Sequence, residues 1–179
     1  MKIKGENNGC YKNLSLDSTY EILDESEYGV LSVFDFSIHS VPFSFVRCDD
    51  KIYFSSSKKG TKVDIFEREK MIKLVFVSRT NVADEYSLDE IQKEVDSGNI
   101  SFLNKNVFTN EYESAIADGR LERINEDSER EYAIRLLYGK YYSDKMQWFD
   151  LIKDDVLKNS NIYKVYLTNV TGKEKYIEI

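Results

Sequence analysis

Residues 53–62 read Tyr53-Phe54-Ser55-Ser56-Ser57-Lys58-Lys59-Gly60-Thr61-Lys62. The segment opens as an aromatic strand, passes through consecutive serines and ends in a basic turn, with a helix start predicted at Thr61 to Asp64. Hydroxyls can donate hydrogen bonds, Gly60 lets the backbone come close, and free N–H groups at a helix start favour an anion. Lys58, Lys59 and Lys62 add positive charge. This chemistry suits a phosphate. The same residue types also make an ordinary solvated turn, so the flanking chain has to decide.

Upstream, alternation predicts strands over 30–36, 40–48 and 51–56, with Asp49-Asp50 as a hairpin turn and Pro42 tolerable on an edge. Ser18-Thr19-Tyr20-Glu21 is a capping-box pattern that opens a short helix ending near Gly29. Residues 1–14 are polar and read as a mobile arm or an irregular lead-in. Downstream, 62–68 reads as a short helix, and the apolar run 72–77 as a strand covered on both faces. Residues 79–106 read as an insertion, with a capping box at Ser87 to Glu90. A long strand follows over 111–124. Ala115, Ala117 and Gly119 share one phase of it, where another surface could approach closely, and Gly119 marks a bend or bulge. Ser128 to Glu131 caps a helix through Tyr142, Met146 to Leu157 is another helix, and strands over 162–170 and 174–178 flank a turn at Thr171-Gly172-Lys173. This order favours one domain over 1–179, mainly β or α+β, built as a closed or partly closed antiparallel barrel with peripheral helices.

Composition narrows the function. A formal net charge of −7 argues against a dedicated nucleic-acid binder, and no run approaches membrane-spanning length. Cys10 and Cys48 match no ligand spacing and read as free thiols, so a cytoplasmic location is expected. There is no Gly-x-Gly-x-x-Gly fingerprint, no Walker loop and no metal constellation. His39 is the lone histidine, near a strand start, and reads as an edge residue. Trp148 beside Phe149 reads most simply as core, with an aromatic wall over a planar ligand as the alternative. Little acid–base equipment beside much aromatic surface fits a protein whose cofactor supplies the chemistry. No catalytic residue is assigned.

The run from Tyr28 to Lys62, with Val41-Pro42-Phe43, Ile52-Tyr53-Phe54 and a small-polar turn leading to Gly60-Thr61-Lys62, resembles the FMN-binding split barrels, the pyridoxamine phosphate oxidase-like proteins, nearest to their nitroimidazole-resistance branch. Tyr112 to Gly119, Lys140-Tyr141 and Thr171-Gly172-Lys173 resemble the later long strand, closing helix and last turn of that family. The resemblance implies a homodimer of six-stranded antiparallel split barrels with FMN at the subunit interface. It implies that Val41, Pro42, Phe43, Ser44 and Phe45 line the flavin ring and that Ser55, Ser56 and Lys62 face its phosphate. Tyr112 and Ser114 would lie near the cofactor, from the partner subunit if not from the same one. The branch usually has histidine where this chain has Ser55. The activity expected is flavin-dependent reduction of a small organic acceptor with electrons from NAD(P)H. A non-catalytic flavin- or haem-binding carrier or sensor is the alternative, and a barrel with an empty pocket serving as an interaction scaffold is a third.

Overall fold

The computed structural model describes residues 10–82 and 86–176. In chain order it contains β1 (Cys10–Asn13), α1 (Leu16–Glu25), β2 (Gly29–Asp35), β3 (Ser37–Phe43), β4 (Val46–Cys48), β5 (Lys51–Ser57), α2 (Thr61–Arg68) and β6 (Met71–Val82). There follow α3 (Leu88–Asp96), α4 (Ile100–Phe102), β7 (Asn110–Arg123), α5 (Asp127–Tyr141), α6 (Phe149–Asn159) and β8 (Ser160–Tyr176). The strands form one antiparallel sheet of order β3-β2-β6-β7-β8-β5-β4, and β1 pairs with β8. The two ends of that order, β3 and β4, are separated in the chain by Ser44 and Phe45 alone. The sheet must therefore curl until its edges meet, which makes it a split barrel.

The barrel is filled from alternate positions of its strands. Leu31, Val33, Phe43, Ile52, Phe54, Ile72, Leu74, Phe76, Ala115, Ala117, Leu121, Tyr163 and Val165 point inward and join one buried cluster. Phe45 and Phe76 meet with ring centroids 4.6 Å apart, and Phe54 stacks on Tyr163 at 5.2 Å. Two helices close the ends. Ile22 and Leu23 of α1 enter the core near Val77 and Arg79, where the Ser26 hydroxyl reaches the Val77 carbonyl and Arg79 pairs with Glu25 and Glu113. At the other end of β6, α2 brings in Ile65 and Phe66 and ties Arg68 to Asp35. A second apolar cluster, with Ala133, Ile134, Leu137 and Phe149, packs α5 and α6 against Tyr53 and Ile162 outside the barrel.

Eight strands replace the six expected. The predicted strand 40–48 breaks into β3 and β4 where the chain leaves one edge and joins the other. Residues 10–13 of the expected mobile arm form β1, in register from Cys10 opposite Tyr176 to Asn13 opposite Lys173, while 1–9 lie outside the described residues. The turn predicted at Thr171-Gly172-Lys173 is continuous strand. Gly172 is there because α1 crosses it closely: a Cβ would stand 2.2 Å from Thr19 Oγ1. The cap of α1 is Ser15 and not Ser18, which lets Thr19 turn inward at 1% exposure. The cap expected at Ser128 is absent, because α5 starts after Glu126 with no side-chain cap. The Ser87–Glu90 capping box and the irregularity at Gly119 are found as expected. Ala115 and Ala117 are not a docking phase, since both face the core; Ser114, Ile116 and Asp118 form the outward phase. Trp148 is 55% exposed, because a tight turn over Ser143–Trp148 shifts the register and Phe149 takes the buried place.

Candidate functional site

β4 covers only the first part of β5, pairing Val46 with Tyr53, Arg47 with Ile52 and Cys48 with Lys51. Among the described residues β3 pairs with β2 alone. The second edge of β3 and the edge of β5 from Phe54 to Ser57 are consequently open, and they flank the gap where the barrel splits. Open edges carry unpaired N–H and C=O groups. At the end of this gap α2 begins. Its N-cap is Gly60 at φ 126°, a conformation that suits glycine, and no side chain caps the first turn. The N–H groups of Val63 and Asp64 return to the Gly60 carbonyl. The start of α2 thus presents helix-terminal donors beside the exposed Lys59 and Lys62.

The bend between β3 and β4 is held from outside by α5. Phe45 N–H donates to Tyr141 Oη at 3.1 Å, and that hydroxyl donates to the Glu27 carbonyl. Next to it, Lys140 Nζ donates to the Ser26 carbonyl at 2.7 Å and stands 4.1 Å over the Phe45 ring. Burial pushes the Lys140 pKa down, although Asp24 and Glu27 oppose the shift. Phe45 lies between two ladders, and the tyrosine hydroxyl supplies the partner that neither strand provides. The spacing of Lys140 and Tyr141 gave no sign of this role, because the contact spans 96 residues of chain.

The expected site residues divide into two groups. Val41, Pro42, Phe43, Ser44 and Phe45 run along the β3 side of the gap. The side chains of Phe43 and Phe45 belong to the core, Val41 packs onto it, and Pro42 and Ser44 lie on the other phase. On the β5 side, the Ser56 hydroxyl is buried on the interior phase and has no hydrogen-bond partner among the described residues. Ser55 is half-buried and shares its face with Tyr53 and Ile162, toward α5. Lys62 is exposed on the first turn of α2. Tyr112 and Ser114 stand apart, on the stretch of β7 that pairs with the far end of β8. There Ser114 helps line a cleft of about 500 Å³ with Asn13, Leu14, Ile116, Val170 and Lys173. One chain does not bring the two groups together.

Two open strand edges, an orphaned buried hydroxyl and an uncapped helix start beside lysines fit a ligand that carries a phosphate. Among the described residues no group of three or more His, Cys, Asp or Glu could hold a metal ion, and no helix is long and apolar enough to cross a membrane. His39 reaches Ser37 Oγ at 3.0 Å, on β3 itself.

Comparison with known proteins adds a family and a fold. A search of curated proteins finds no match. Among solved structures, a candidate 5-nitroimidazole antibiotic resistance protein from Bacteroides thetaiotaomicron aligns at 18% identity over 93% of this chain and 89% of its own, with a TM-score of 0.69. A FAD and haem binding protein from Mycobacterium smegmatis aligns at 14% identity over 94% of this chain and 76% of its own, with a TM-score of 0.66. A FAD-binding protein from Mesorhizobium loti aligns at 15% identity over 94% and 98%, with a TM-score of 0.59. At these identities the structures share the fold. The profile of the family described as pyridoxamine 5'-phosphate oxidase matches residues 15–174, from the cap of α1 to the last rungs of β8. The chain with the split between β3 and β5 therefore belongs to the pyridoxamine 5'-phosphate oxidase family.

Proposed function

We propose that this protein binds a flavin, FMN, in the gap between β3 and β5, and works as a homodimer that reduces a small organic acceptor with electrons from NAD(P)H. The observation behind this reading is the gap itself, with the orphaned Ser56 hydroxyl on one side and the uncapped start of α2 at its end. Lys62 and the N-terminal donors of α2 hold the phosphate, and the backbone edges of Val41–Phe45 and Phe54–Ser57 flank the ring. Bound there, a flavin supplies hydride acceptance and donation, while the chain supplies binding, orientation and a dry wall. Two of the similar solved structures are described as FAD-binding, which favours a flavin over other phosphate ligands.

The outer face of the sheet supports the dimer. Pro42, Val30, Val75, Ile116 and Thr171 form one row across β3, β2, β6, β7 and β8, and Phe34, Ile38, Met71 and Val77 extend it. Most of these apolar side chains are exposed in the single chain, and an apolar face this broad calls for a partner. Tyr112 and Ser114 lie on the same outward phase of β7 as Ile116, so a second copy seated on this face would cover them.

The absorption spectrum of the purified protein, recorded anaerobically before and after NADPH, tests the reading. Flavin bands that bleach support the reductase. Bands that persist unbleached support a flavin carrier instead. A protein that takes up no flavin on incubation with FMN overturns the site.

A further inference from the structure

β5 has two flanks. The gap lies on one; on the other, where β5 pairs with β8, the same serine–lysine turn borders a second cleft. This cleft measures about 150 Å³, and its polar lining comes from Lys58, Arg123, Asn125, Arg130, Ser160 and Asn161. Lys58 arrives from the turn before α2, Arg123 from the last residue of β7, and Arg130 from the first turn of α5. Three cations thus converge from three elements in a chain whose formal net charge is −7.

Each of the two guanidinium groups donates to one neutral acceptor and to one exposed carboxylate. Arg123 Nη2 donates to Asn161 Oδ1 at 2.8 Å, and Asn161 is only 3% exposed. Arg130 Nη2 donates to the Leu157 carbonyl. Their carboxylate neighbours are Glu67, 3.2 Å from Arg123, and Asp127, 2.7 Å from Arg130, with side chains 49% and 87% exposed. Ion pairs so exposed are weak competitors for a bound anion. Lys58 has no hydrogen-bond or ion-pair partner among the described residues. At about 150 Å³ the cleft is small, which suits a compact oxyanion.

We propose that this cleft is an oxyanion site for one phosphate group, either free phosphate or the phosphate of a small phosphomonoester. Preorganised guanidinium forks suit tetrahedral oxyanions, and Lys58 beside them gains a counter-charge when an anion binds. The inference does not depend on the flavin.

Calorimetric titration of the full chain with inorganic phosphate tests it, with sodium chloride at matched ionic strength as the blank and glycerol 3-phosphate as a second arm. Saturable binding is expected, weakened about tenfold or more by Arg130→Gln and several-fold by Lys58→Gln, an exposed turn substitution that leaves the fold intact. Tighter binding of glycerol 3-phosphate identifies a phosphomonoester, and tighter binding of phosphate identifies the free ion. No saturable binding by the wild type, or equal binding by both variants, overturns the site. Competition between phosphate and FMN that Arg130→Gln abolishes overturns it as well, since the cleft would then be the phosphate end of the flavin site.

Discussion

The Ser56 hydroxyl is buried without a partner, and an unsatisfied buried group costs about 1–3 kcal/mol. Ser56→Ala should therefore raise the melting temperature of the flavin-free protein, by roughly 2–4 °C per kcal/mol recovered, while lowering FMN affinity. A variant that melts lower and binds FMN as before would remove Ser56 from the site. Lys62 makes a different prediction. A charge-assisted hydrogen bond contributes about 1.5–3 kcal/mol, so Lys62→Ala should weaken FMN by roughly ten- to a hundredfold and leave riboflavin nearly unchanged. Equal losses for both ligands would mean that Lys62 acts through packing. At this scale the sequence was partly legible. Serines, lysines and a glycine in a row announce a turn, because their backbone and side-chain preferences are local. That Phe43 and Phe45 turn inward was hidden, since the phase of a strand that changes partner at Ser44 depends on both neighbours.

The joint between β3 and β4 is the element that shapes the gap, and α5 holds it through Tyr141. Tyr141→Phe leaves Phe45 N–H without an acceptor, so the variant should lose about 1–3 kcal/mol of stability in urea. The loss should be accompanied by weaker flavin binding, because the two open edges separate at this bend. A variant as stable as wild type would show that water replaces the hydroxyl at no cost. Most strands were readable from alternation and the Ser87 cap from its four-residue pattern, but β1 and the break at Ser44 were not. Gly172 was misread as a turn because its reason lies in α1, where Thr19 passes too close for a Cβ. Local pattern does not report an approach by a helix from the far end of the chain.

For the whole molecule the open question is the apolar outer face. Val30 and Ile116 lie in the same row of that face and are 41% and 46% exposed. Val30→Glu should split the proposed homodimer and lower flavin occupancy together, as read by light scattering alongside flavin absorbance, since a ligand shared by two subunits binds a dimer better than a monomer. A monomer that keeps full flavin would place the whole site within one chain. Ala117→Glu would not serve, because Ala117 is fully buried and a charge there would unfold the barrel. The family fold was legible from the order of loose motifs, whereas the curling of the sheet was visible only once β3 and β4 were found at its two ends.

β8 hydrogen-bonds to β1, β5 and β7, and the register that ties Cys10 to Tyr176 joins the first described residue to the last. During synthesis, then, the barrel waits for β8. Until the ribosome has released Ser160–Tyr176, β5 and β7 each hold an open edge and β1 has no partner at all. Pairing so distant in sequence is slow, and exposed edges invite association with other chains. A stalled nascent chain that has released residues only as far as Asn159 should remain sensitive to protease, and one released past Tyr176 should become resistant. Protection in the shorter chain would show that the barrel assembles without its central strand.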